Sequence, residues 1–253
     1  KRQVHVCPVC GSAITERRAE ELRGGLSRHP ELTPIMVTVT LQHRRGDSLS
    51  GLLKDLKAGM RFARSGKRWD QLKDRLGVVG SVTATEVTYS DRAGWHPHEH
   101  ILFLCAGAAD VAALRAFLSE RFAAYLARVG RYVSAEYGVQ AVAGDAAAAN
   151  YISKWDTAAE LAKGNVKRSR SDGGMSPMML LARAGDGDDR CGALFVEYAE
   201  AMHGKRLLVY TRGLRDLLGM NEDKTDEEVA EQEVAQAVEL ASLTVHQWRV
   251  VLA

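Results

Sequence analysis

The stretch "TATEVTYSDRAGWHPHEHILFLC", residues 83 to 105, decides how this chain folds, because it reads as two strands joined by a turn. "GVVGSVTATEVTY" (77–89) is rich in Val and Thr, "SDRAGW" (90–95) carries turn residues, and "HEHILFLC" (98–105) runs back antiparallel. Side chains two apart on a strand share a face, so His98 and His100 point together with Leu102 and Leu104 behind them. His96 has the same parity but precedes Pro97, where the chain is expected still to be turning. Glu86, across the hairpin, is a carboxylate in an otherwise β-branched strand, which is costly unless it meets a partner. Two imidazoles about 7 Å apart along a strand and one carboxylate make a metal site with open positions. Such a donor set suits Mn²⁺ or Mg²⁺ acting on a phosphate better than a closed structural zinc. The bland alternative is a pair of hydrogen-bonded core histidines and a glutamate that faces water.

Outward from the hairpin, "PIMVTVTLQH" (34–43) alternates like a strand, and "SLSGLLKDLKAGMRFARS" (48–65) has Ser48 as N-cap and leucines at helical spacing. Residues 108–130, 145–163, 176–185 and 191–204 read as helices, 137–144 and 205–211 as strands, and 168–177 as a loop. "ITERRAEELRGGLSRHP" (14–30) reads as an amphipathic helix broken at Gly24–Gly25. Together these predict an α+β fold, a central antiparallel sheet with helices packed mainly on one face. The acidic stretch 223–243, helical with few large apolar residues, is expected to be an appendage.

Among 253 residues, 46% are apolar and 26% charged, enough for a sizeable core. The net charge of +2 understates the basicity of the front, because acids cluster in "NEDKTDEEVAEQE" (221–233). "RFARSGKR" (61–68) and "KGNVKRSR" (163–170) suit phosphate, although either reads equally as solvated surface. No apolar run approaches the ~20 residues that span a bilayer, so a cytoplasmic protein without membrane partners is expected. The chain opens at Lys1 in the middle of what reads as a motif, so a segment upstream is expected. The four cysteines are not a disulfide framework. "CPVC" with Gly11 reads as a zinc knuckle built on Cys7 and Cys10, which needs two more ligands, from upstream or from His5 and a distant residue.

"NYISKW" completes a set. On a helix Tyr151 and Lys154 share a face. A tyrosine near a metal-bound phosphate can attack phosphorus, and a lysine ammonium can lower its pKa or hold the developing charge. A half-buried tyrosine beside a snorkelling lysine gives the same spacing without chemistry.

"MVTVTLQH", then "EVTY…GWHPHEHILFL", then "YISKW" resembles, in order and spacing, the three motifs of the HUH endonucleases. The resemblance is closest to plasmid rolling-circle replication initiators with a single catalytic tyrosine. "HVCPVCGSAITERRAEEL" and "FVEYAEAMHGKRLLVYTRGLR" resemble flanking segments of the same initiators, so it covers roughly residues 5 to 217. It implies a zinc-knuckle-like N-terminal segment over 1–30, a nicking domain over 31–217 with its Tyr-bearing helix alongside the sheet, and an acidic helical C-terminal appendage over 218–253. It further implies that His98, His100 and Glu86 hold a divalent metal, and that Tyr151, assisted by Lys154, attacks single-stranded DNA at a plasmid origin. The products are a 5′-phosphotyrosine and a free 3′-OH that primes synthesis, with a host helicase and polymerase as partners. Two positions depart from the pattern. Glu99 replaces the usual apolar residue between the ligands, but its parity points it away from them. Ala147 stands four before the tyrosine, where related initiators can carry a glutamate for termination, and Asp145 lies on another helix face. Three rivals are a single-tyrosine transposase, a non-catalytic DNA-binding protein and a histidine-triad nucleotide hydrolase using His96, His98 and His100. The last wants apolar residues where Pro97 and Glu99 stand.

Overall fold

A computed structural model of the chain describes residues 6–107, 110–143, 174–206, 208–220 and 224–236. The hairpin is tighter than its sequence suggests. β2 (Val78–Ser90) and β3 (Gly94–Ala106) pair antiparallel up to Ser90 opposite Gly94. Gly94 sits at φ 81°, and a Cβ there would lie 2.8 Å from Arg45 Cα, so only glycine lets the loop after β1 (Leu32–Thr40) cross the hairpin tip. His96 and Pro97, expected in the turn, therefore belong to the strand, opposite Thr88 and Val87. Pro97 is tolerated because its carbonyl side faces the end of β1, where it accepts from the Thr40 hydroxyl at 3.2 Å and no ladder N–H is required.

The five strands lie in the order β4–β1–β3–β2–β5, where β4 is Val139–Ala143 and β5 is Leu208–Tyr210, and every neighbouring pair is antiparallel. With helices added, the fold is α+β. One face of the sheet carries Ile35, Val37, Val39, Val87, Ile101 and Phe103. It is buried beneath α2 (Leu49–Ala63), α3 (Lys67–Arg75), α4 (Val111–Arg128), α5 (Pro177–Gly185) and α6 (Asp189–Met202). Ser48 caps α2 as its sequence predicts, accepting from Gly51 N, and the leucine stripe Leu49, Leu52, Leu53 and Leu56 is buried. The sequence reading missed α3, where Trp69 and Leu72 turn inward beneath a basic exterior.

The opposite face is covered over only part of its length. Met36, Val82, Leu102 and Leu104 meet Leu22 of α1 (Pro8–Ser27) and Leu214 of α7 (Leu214–Leu217), together with Leu218 and Met220. A Cβ on Gly80 would sit 2.9 Å from Leu214 Cδ1, so α7 seats there because residue 80 has no side chain. α1 runs unbroken through Gly24–Gly25, contrary to expectation, and Gly25 packs close to Leu218 and Met220. Tertiary packing outweighs the roughly 1 kcal/mol per glycine that propensity charges. α8 (Asp226–Gln236), within the acidic stretch, docks on α1 through Ile14, Val229 and Ala230 and through the buried Arg18–Asp226 pair at 3.2 Å.

Candidate functional site

Beyond Leu102, the partly covered face turns polar. Thr38 lies opposite His100 and Thr40 opposite His98 on the β1 side; Ala84 and Glu86 take the matching positions on β2. Alternation on three adjoining strands thus delivers two histidines, one glutamate and two threonines to one patch. Glu86 lies directly across from His98, but its carboxylate leans one step along and accepts from His100 Nε2 at 2.9 Å. Thr38 Oγ1 bonds the other nitrogen, His100 Nδ1, at 3.1 Å.

The imidazoles stack. His98 and His100 are 5.8 Å apart between ring centroids and tilted by only 19°. His96 and His98 are 4.3 Å apart, and His43 lies 4.7 Å from His96. His96 Nε2 bonds Thr40 Oγ1 at 3.0 Å, and His43 Nδ1 donates to the Ala93 carbonyl at 3.0 Å. The ladder of four rings was only half legible in the sequence. Carrying the strand parity back through Pro97 would have found His96; nothing local announces His43.

Electrostatics favour neutral rings at His96 and His98 beside an ionised acid. Burial, then repulsion from His98 and His43, pushes the His96 pKa down to about 4. Burial likewise lowers His98, against the opposing pull of Glu86. Crowding works to raise Glu86, but the His100 hydrogen bond and the neighbouring imidazoles outweigh it and hold the carboxyl below its ordinary value. Because an ionised carboxylate only accepts, His100 Nε2 carries a proton toward Glu86, while Nδ1 faces the Thr38 hydroxyl. His98 Nδ1 is buried with no hydrogen-bond partner among the described residues. A buried polar atom left over inside a polar cluster calls for a partner, a water or an ion. Among the described residues, no three His, Cys, Asp or Glu side chains are already arranged to hold a metal. The Glu86–His100 bond closes what would be the centre.

Tyr151 and Lys154, with Asp145, Ala147 and Trp155, lie outside the described residues. Cys7 and Cys10 do not form a loop-borne knuckle. Cys7 is the N-cap of α1, Pro8 begins it, and Gly11 N donates to Cys7 O at 2.8 Å as in any helix. Burial raises the Cys7 thiol, yet hydrogen bonding from Cys10 and Val9 at the helix start outweighs it and leaves the pKa lowered. His5 lies outside the described residues. Trp69 and Trp95 are core residues, the latter donating Nε1–H to Glu197 at 2.9 Å, and Tyr198 is buried on α6. Glu99 points to the helix-covered side, as parity requires, and is buried there near Lys57 and Arg64.

An antiparallel sheet with one face under helices and a histidine–glutamate cluster at the open end of the other defines an α+β protein with a candidate cation centre. Residues 2–252 match the Rep_1 family model, described as Replication protein, and the chain belongs to that family. It is 28% identical to "Protein rep" of Streptomyces lividans, over 88% of this chain and 64% of that protein. It is also 28% identical to a "Neomycin resistance protein" of Streptomyces cyanogenus, over 42% of this chain and 30% of the relative. The chain therefore spans less than two thirds of the length of either curated relative. No solved structure matches it. Family membership agrees with the initiator resemblance and leaves the histidine-triad reading without support. Among the described residues no helix is long and apolar enough to cross a membrane.

Proposed function

We propose that this chain is the nicking and joining part of a plasmid rolling-circle replication initiator, a metal-dependent, site-specific endonuclease and strand transferase for single-stranded DNA. The observation that carries this reading is the meeting of Glu86, His98 and His100 on one face, with a buried imidazole nitrogen to spare, in a chain of a replication protein family. Two imidazole nitrogens and a carboxylate suit Mn²⁺ or Mg²⁺, which when bound would polarise the scissile phosphate. His98 offers Nδ1, which no described residue engages within hydrogen-bond geometry. His100 and Glu86 must part. With a cation bound, His100 would offer Nε2 and keep its proton on Nδ1, toward the Thr38 hydroxyl, which can accept as well as donate.

Tyr151 attacks phosphorus in line. Its phenolic proton is lost, the P–O3′ bond breaks, and the leaving 3′ oxygen takes a proton to become the priming 3′-OH while the 5′ phosphate stays on tyrosine. Lys154 holds charge beside the phenolate. The phosphotyrosine preserves the bond energy, so rejoining needs no nucleotide cofactor. With Ala147 in place of a glutamate, termination takes another route. Both flanks of the segment bearing Tyr151 lie on the sheet: β4 ends at Ala143, opposite Ile35, and Met175 pairs with Tyr89 beside the hairpin tip. Zn²⁺ at Cys7 and Cys10 would need further ligands from outside the described residues. Origin DNA, single-stranded or in a hairpin, a host helicase and polymerase, and a cytoplasmic location complete the reading. Protein mixed with Mn²⁺ and a pool of single-stranded DNA should give a denaturant-resistant adduct on the peptide containing Tyr151; an adduct elsewhere, or none, sinks it.

A further inference from the structure

The loop between α4 and β4, residues 131–138, borders the histidine ladder. Thr40 donates its N–H to Gly138 O at 2.9 Å, and Gln42 donates to Tyr132 O at 3.0 Å. Thr40 is also the strand partner of His98 and the hydrogen-bond partner of His96, so the loop stands one strand away from the ladder. Its backbone is firmly held. Arg131 binds Asp47 and Asp55, and Arg115 donates to Val139 O at 2.9 Å and Glu136 O at 3.2 Å. Ser134 Oγ accepts from the backbone of Glu136 and Tyr137, and a Cβ on Gly138 would come within 2.6 Å of Ser134 O.

On this fixed backbone Tyr132 and Tyr137 stand 70% and 60% exposed. Two large rings kept in water by a rigid loop gain nothing for the core. The neighbouring loop after β1 displays Arg44 and Arg45, both exposed and without a carboxylate side-chain partner among the described residues. Its backbone is tied by Arg44 N to Asp47 at 2.8 Å and by the close approach of Arg45 to Gly94. Glu136, exposed between the tyrosines, is an opposing charge.

We propose that Tyr132, Tyr137, Arg44 and Arg45 form a binding surface for the single-stranded DNA that flanks the phosphate held at the histidine end. Bases stack on the tyrosines and guanidinium groups meet the backbone phosphates. Stacking on rings carried by a backbone already held in place costs little further backbone ordering. The surface rests on the reading that single-stranded DNA is the substrate, and it concerns how the strand is gripped rather than how it is cut.

The test uses the whole chain and a fluorescein-labelled single strand of about 20 nucleotides and mixed sequence, long enough to cover such a site. Anisotropy is read in EDTA, so that no cutting intervenes. Replacing both tyrosines, Tyr132→Ala with Tyr137→Ala, should weaken binding roughly tenfold or more, the scale of lost base stacking. The corresponding phenylalanine pair should bind like the native chain, and the melting temperature of either pair should not move. Arg44→Ala with Arg45→Ala should flatten the dependence of log affinity on log salt by roughly 0.7 per lost phosphate contact. Native-strength binding by the alanine pair overturns the surface, as does a native chain that ignores single strands. No adduct in Mn²⁺ alongside weakened binding by the alanine pair would remove the nicking chemistry and leave the surface standing. A normal adduct with unweakened binding would do the reverse.

Discussion

β3 shows the contrast that organises this protein, because its two faces live in different solvents. Ile101, Phe103 and Cys105 point under five helices and are fully or almost fully buried. His96, His98 and His100 point the other way, onto a face that α1 and α7 cover only as far as Leu102 and Leu104. The first face supplies stability and the second can spend polar groups because part of it meets water. Glu99 crosses the rule: it is 3% exposed on the apolar side, and burial raises its pKa even though Arg64 and Lys57 pull it down. Its carboxylate Oε2 has no hydrogen-bond partner among the described residues, so those two cations supply its compensation.

Substitutions in the proposed chemistry and on the covered face should separate function from stability. Tyr151→Phe should abolish the covalent adduct altogether while DNA binding persists, read on a denaturing gel and by anisotropy; a surviving adduct would remove the tyrosine from the chemistry. His98→Ala, or EDTA added to the native chain, should suppress nicking by on the order of 10²-fold or more, since even outer-shell partners of metal ligands are worth 10–100-fold. The same variant should melt close to the native temperature, and full cleavage by it in Mn²⁺ would dissolve the proposed centre. On the covered face, Phe103→Ala should cost about 3–5 kcal/mol in chemical denaturation. A loss below about 1 kcal/mol would mean that the helices do not close over that side. Thr38→Val, which keeps shape and removes the hydroxyl beside His100 Nδ1, should weaken Mn²⁺ binding by roughly 10-fold and barely touch stability, as measured by titration calorimetry. Smallest is Ser48→Ala, about 1 kcal/mol through the lost cap of α2, with no change in nicking.

Much of the candidate site was legible because strands write their faces into the sequence with a period of two. That period put His98 beside His100, and the hairpin put Glu86 across from them. It could not show that Glu86 bonds His100 rather than its direct partner, since a carboxylate's lean depends on which ring nitrogen is offered. The joining of His43 to the ladder depends on a loop that crosses the hairpin at Gly94. α3 escaped notice because two inward residues, Trp69 and Leu72, are too few to set a helical period against so many charges.

The sequence alone determined the alternating strands, the cap and leucine face of α2, and the parity that separates Glu99 from its histidine neighbours. These are local, set by backbone geometry within a few residues. Only the tertiary structure decided that α1 passes through two glycines, and that four imidazoles line up along a half-open face. Each of those depends on contacts between residues far apart in the chain, where packing free energy exceeds the small local preferences that a sequence pattern records.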